Sequence, residues 1–137
     1  MDTNLNYLAL DYGLKRIGLA SGASGGKMAF ARGIIENKGF RFVLSELGKI
    51  CDKYEIDVII IGLPLNMDNE DEINEMTKNV RHFGTKLKDE LEGVEIKYFD
   101  ERLSSHEADD LMKDAGNIGH RDEYAAMVIL QRYFDCQ

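Results

Sequence analysis

Acidic residues stand at three places along the chain where elements read from the sequence end. Asp11 closes an apolar run, Asp100 and Glu101 close another, and Asp122 opens a stretch of helical periodicity. In a sheet with parallel strands, carboxyl ends converge on one edge, where ligands bind. Carboxylates brought within a few ångströms of one another repel strongly unless a cation compensates. An oxygen-only donor set suits divalent magnesium or manganese. Two such ions about 3.5–4 Å apart can activate water and stabilise a leaving oxygen in phosphodiester cleavage. Each acid also has a plainer use. Asp11 can start a turn, Asp122 can cap a helix, and Asp100 or Glu101 can pair with Arg102 at the surface.

The elements that must position these acids follow from periodicity. Residues 5–11 and 15–21 read as a β-hairpin, with Gly13 in its turn. Its second strand puts small Gly18 and Ala20 on one face and Ile17 and Leu19 on the other. Residues 28–36 read as a third strand, after the glycine-rich link at 22–26. Phe40, Val43, Leu44, Leu47, Ile50, Cys51 and Tyr54 recur at helical spacing over 40–54. The run 57–62, rich in β-branched residues, suits a parallel strand covered on both faces. A charged amphipathic helix is expected over 70–91 and a strand over 94–99. Ser104 to Glu107 has the form of a capping box for a helix over 105–115. The last helix is expected from Asp122 to about Phe134, with Ala125 and Ala126 small enough for close packing. Short links make the first three strands antiparallel neighbours, and the later βα units add parallel strands by crossover. The expected fold is α/β, a mixed five-stranded sheet with helices on both faces.

The chain's 137 residues, 44% of them hydrophobic, fit one domain over 1–137 with a real core. No apolar segment approaches a membrane span, and Met1 to Asn4 lack the pattern of a signal peptide, so a cytoplasmic location is expected. Cys51 and Cys136 lack metal-site spacing and read as reduced, ordinary residues. The net charge of −8 argues against nucleic-acid binding through a bulk positive field. It leaves room for a local basic patch beside a metal-neutralised acidic site. His82 and His106 read as solvated, and His120 lies close to Asp122 in sequence. No Ser-His-Asp or Cys-His arrangement is evident.

Four segments in order, spanning about residues 5–135, carry a family resemblance. They are Leu10-Asp11-Tyr12-Gly13-Leu14-Lys15-Arg16-Ile17-Gly18, then Ile61-Gly62-Leu63-Pro64-Leu65-Asn66-Met67. Asp100-Glu101-Arg102-Leu103-Ser104-Ser105, followed by Glu107-Ala108, is the third, and Asp122-Glu123-Tyr124-Ala125-Ala126, followed by Ile129-Leu130, the fourth. In these the chain resembles the YqgF/RuvX family of pre-16S rRNA nucleases, also described as Holliday-junction-resolvase-like. The resemblance implies a ribonuclease-H-like fold and a nuclease hydrolysing phosphodiesters in structured nucleic acid, in 5′-end processing of pre-16S rRNA. It implies two-metal chemistry with Mg²⁺ or Mn²⁺, held by Asp11, Glu101 and Asp122 as catalytic acids. Glu101 is chosen over Asp100, although adjacent strand residues face opposite ways. Lys15, Arg16 and Arg102 become candidates for substrate phosphates, beside their ordinary use in surface ion pairs. The implied partners are structured RNA or branched DNA, together with a ribosomal or RNA-processing protein; monomer and homodimer stay open.

The chain departs from the family pattern in three places. Ser104 and Ser105 replace threonines, the segment 116–121 is short and weakly basic, and the acidic stretch 67–72 lacks a glycine after Asp68. The latter two bear on nucleic-acid affinity more than on metal binding. Other readings are a non-catalytic nucleic-acid-binding module in transcription or RNA metabolism, and a Holliday junction resolvase acting on branched DNA. An actin-like phosphotransferase fragment would share the Asp11-Tyr12-Gly13 loop, but needs a second such loop and a second domain.

Overall fold

In a computed structural model of the chain, residues 4–63, 70–100 and 121–136 are described, side chains at 70–74, 100 and 121–123 excepted. Glu101, Arg102, His106, His120, the segment 64–69 and the helix expected over 105–115 lie outside them. The strands are β1 (Asn6–Asp11), β2 (Arg16–Ala23), β3 (Phe30–Glu36), β4 (Val58–Leu63) and β5 (Glu95–Asp100). The helices are α1 (Phe40–Tyr54), α2 (Glu70–Glu90) and α3 (Arg121–Asp135). The third strand opens at Phe30 rather than 28, and the last helix at Arg121 rather than Asp122.

The five strands form one sheet in the order β3-β2-β1-β4-β5. β1 pairs antiparallel with β2, and β2 with β3, while β1, β4 and β5 run parallel. This is the mixed sheet expected from the link lengths. Every residue of β4 is buried, as an apolar strand covered on both faces should be.

Alternation along β1 divides the core in two. Leu8 and Leu10 join Ile59 and Ile61 under α1 and α2, through Val43, Leu47, Val80, Phe83 and Leu87. Tyr7 and Ala9 join Val58, Ile60 and Phe99 beneath Ile129, Leu130 and Phe134 of α3. The small faces of β2 admit α3 closely. Ala20 is fully buried, and a Cβ at Gly22 would strike the Met28 carbonyl and lie 3.1 Å from Phe134 Cε2. The Tyr7 ring meets Phe134 edge-on at 5.5 Å and Tyr133 at 5.3 Å. The carboxyl end of α3 therefore lies over the start of β1, and its first turn points toward the strand's other end.

α1 stops at Glu55, a non-glycine residue in the left-handed region (φ 51°). Its N–H donates to the Asp52 carbonyl at 3.4 Å, and that of Ile56 to Cys51 at 2.9 Å. These bonds satisfy carbonyls that the helix end would otherwise leave open.

Candidate active site

Asp11 is the last residue of β1 and is half-buried. By the strand's alternation it shares the α3 face with Tyr7 and Ala9. Its cross-strand partner in β2 is Gly18. On the other side, β1 and β4 pair through Leu10 and Ile61, so Gly62 stands one step further along, level with Asp11. Val58 and Ile60 face α3, and alternation gives Gly62 the same face. The carboxylate is thus flanked on both neighbouring strands by positions without side chains. Gly18 is legible as a small position from the sequence; Gly62 stands in the second family segment, but its place beside Asp11 emerges only from the strand register.

Leu63 and Asp100 form the last pair between β4 and β5 among the described residues. The carboxyl ends of β1, β4 and β5 therefore lie along one edge of the sheet. α3 returns to the same edge. From Tyr7 to Asp11 the strand rises roughly 13 Å, and from Phe134 back to Asp122 the helix rises roughly 18 Å. The first helical turn consequently reaches the end of β1. Ala126 is fully buried, and position 122 lies one turn earlier on the same helical face. Asp122 belongs to the first turn of α3, and its side chain is among those not described.

The structure thus gathers the end of β1, the end of β5 and the start of α3. It does not describe Glu101 or Arg102. Among the described residues no three His, Cys, Asp or Glu side chains cluster as a metal site; Glu101 and the Asp122 side chain are not among those residues. Lys15 and Arg16 are exposed, Lys15 in the turn after Asp11 and Arg16 opening β2. The turn is tied to the end of β3: the Asn37 N–H donates to the Lys15 carbonyl at 2.8 Å and its Nδ2 to the Gly13 carbonyl at 2.9 Å.

Electrostatics at the opposite end of the α3 face help fix the helix. Lys97 Nζ donates to the Tyr133 hydroxyl at 3.3 Å, and this bond holds the ammonium pKa above its ordinary value. Burial pushes the Tyr7 hydroxyl up, and neighbouring Tyr133 adds to the effect. Both shifts leave Lys97 charged and Tyr7 neutral at neutral pH.

A sequence model of the RuvX family, described as Holliday junction resolvase, matches residues 5–136. The chain belongs to the RuvX family. A relative named "Putative pre-16S rRNA nuclease" from Nitratidesulfovibrio vulgaris (strain Miyazaki F) is 35% identical over 136 residues, covering 96% of this chain and 94% of the relative. Among solved structures, T. thermophilus RuvC in complex with a Holliday junction substrate superposes with a TM-score of 0.64 at 13% identity, covering 96% of this chain and 95% of that one. The fowlpox virus Holliday junction resolvase gives 0.57 at 11% identity, covering 97% of this chain and all of that one (100%). At such identities the likeness concerns the fold, and it agrees with the ribonuclease-H-like sheet expected of a RuvX-family chain. No described helix is long and apolar enough to cross a membrane.

Proposed function

We propose that this RuvX-family chain is a metal-dependent nuclease that hydrolyses phosphodiester bonds in structured RNA, the end of pre-16S rRNA being the substrate. The observation that carries the reading is the convergence of three chain segments on one sheet edge around Asp11. The family's relatives supply the substrate class, through the name given to the N. vulgaris protein.

Asp11, Glu101 and Asp122 are the proposed acids. Glu101 is preferred to Asp100 on the family motif that the segment Asp100-Glu101-Arg102 resembles. A carboxylate-only donor set fits Mg²⁺ or Mn²⁺, and the positions level with Asp11 on both neighbouring strands are glycines, which add no side chain there. When bound, these ions supply an activated water and stabilise the departing oxygen. The chain's own part is positional. Asp11 is fixed by a buried strand, position 122 by a helix packed on that strand, and Lys15 and Arg16 offer cations to the substrate phosphates.

Cleavage of a precursor of 16S rRNA and of a four-way DNA junction, each with Mg²⁺ or Mn²⁺, tests the reading. Asp11→Asn is expected to lose at least about 100-fold in rate, since metal stabilisation is worth several kcal/mol. Unchanged cleavage by Asp11→Asn would contradict it. Junction cleavage is the second reading, favoured by the family's description and the RuvC-like fold; a preference for the junction over the RNA would select it.

A further inference from the structure

On the opposite face of the sheet from Asp11, one residue further along, a cavity of about 130 Å³ opens beside Tyr12. It is lined by Tyr12, Asn37, Phe40, His82, Phe83 and Lys86. The walls are aromatic: the Tyr12 and Phe83 rings lie 4.6 Å apart at 35°, and Phe40 meets Phe83 edge-on at 6.1 Å. The rim is polar and cationic. Lys86 Nζ sits 4.5 Å from the centre of the Phe40 ring, and His82 is exposed. Asn37 Nδ2 lies 3.4 Å from the Tyr12 hydroxyl, which ties this ring to the end of β3.

We propose that this cavity receives an unpaired nucleobase of the substrate strand next to the phosphodiester being cut. The inference rests on the nuclease reading above and adds the substrate's local form. Two observations carry it. The first is the chemistry of the cavity, in which the half-buried Tyr12 and Phe40 rings have an imidazole and an ammonium beside them. These are groups that hold a base by its face and its polar edge. The second is the charge. A protein of net charge −8 gains little from general attraction to phosphate, so its affinity must come from local contacts. Base stacking on an aromatic side chain is worth about 1–3 kcal/mol and needs no positive field. Tyr12 follows Asp11 directly, and the turn carrying Lys15 joins β1 to β2 at this same end of the sheet. A strand crossing that turn would set a phosphate near Asp11 and an adjoining base against Tyr12. A base held in a duplex cannot enter, so the site selects single-stranded or looped substrate.

The test uses the full chain carrying Asp11→Asn, so that binding is measured without cleavage. The probe is a labelled single-stranded RNA oligonucleotide, with versions made abasic at each position in turn and a blunt duplex of the same sequence. Adding Tyr12→Leu is expected to weaken single-strand binding by about 5- to 150-fold and to leave duplex binding unchanged. Adding Tyr12→Phe, which keeps the ring, stays near the parent value. One abasic position weakens the parent similarly and causes no further loss once Tyr12→Leu is present. Multiplied losses, equal binding of Tyr12→Leu and parent, or no single-strand binding at all would overturn the proposal. Circular dichroism of each variant identifies a loss caused by misfolding, and His82→Ala with Lys86→Met then repeats the cycle from the exposed rim. Coupling between Tyr12 and one base without cleavage by the unmutated chain would sink the nuclease reading alone. Cleavage without coupling would sink the base pocket alone.

Discussion

Cys51 shows how a single buried group sets a pH limit. Burial among the residues under α1 pushes its thiol up to about 11, with Asp52 adding a smaller push, against an ordinary value of 9.0. Below pH 9 the thiol is protonated in both folded and unfolded chains, and its contribution to stability is fully present. Between pH 9 and 11 the unfolded thiol ionises while the folded one resists, so stability is lost as pH rises, by about 2–3 kcal/mol in total. Urea midpoints at pH 8 and pH 10.5 should therefore fall further for the unmutated chain than for Cys51→Ala. Equal falls would remove Cys51 as the cause. Cys136 is exposed, so a thiol reagent should label it at once in the native protein and reach Cys51 only on unfolding.

The elements were largely legible because each is written in one dominant period. The β-branched run of β4 and the helical spacing of Val43, Leu47 and Cys51 point to their elements without tertiary information. What escaped depends on contacts between distant segments. Nothing in Tyr133 or Phe134 announces that Tyr7 will receive them, and nothing in a glutamate marks Glu55 as a left-handed helix stop. Likewise Gly62 gains meaning only from its register beside Asp11. Two predictions belong at this scale. Glu55→Gly should raise stability by about 0.5–1 kcal/mol, because glycine adopts positive φ without the steric cost, part of which its freer unfolded chain offsets. Phe134→Ala should cost about 3–5 kcal/mol, as a buried aromatic truncation. The milder Phe134→Leu should loosen the seat of α3 and slow cleavage while leaving every proposed acid intact. Stability and rate both unchanged in Phe134→Leu would show that the aromatic contact does not position the helix.

For the whole molecule the governing fact is an acidic protein proposed to act on a polyanion. With Lys15, Arg16 and Arg102 as the phosphate contacts, the slope of log affinity against log salt should be shallow, roughly −2 for a single strand. A slope near roughly −6 would require a broad basic surface, which a net charge of −8 does not suggest. In the proposed reading the same difficulty is met by concentrating chemistry at one sheet edge rather than spreading charge over a face. Substoichiometric Mn²⁺ added to the isotope-labelled chain tests that concentration most directly, because amide signals near a bound ion broaden selectively. The account predicts that signals from Tyr12, from Glu101 and Arg102, and from Asp122 and Glu123 fade together, and that Asp11→Asn abolishes the effect. Broadening scattered over unrelated surface acids, with those three segments untouched, would contradict it.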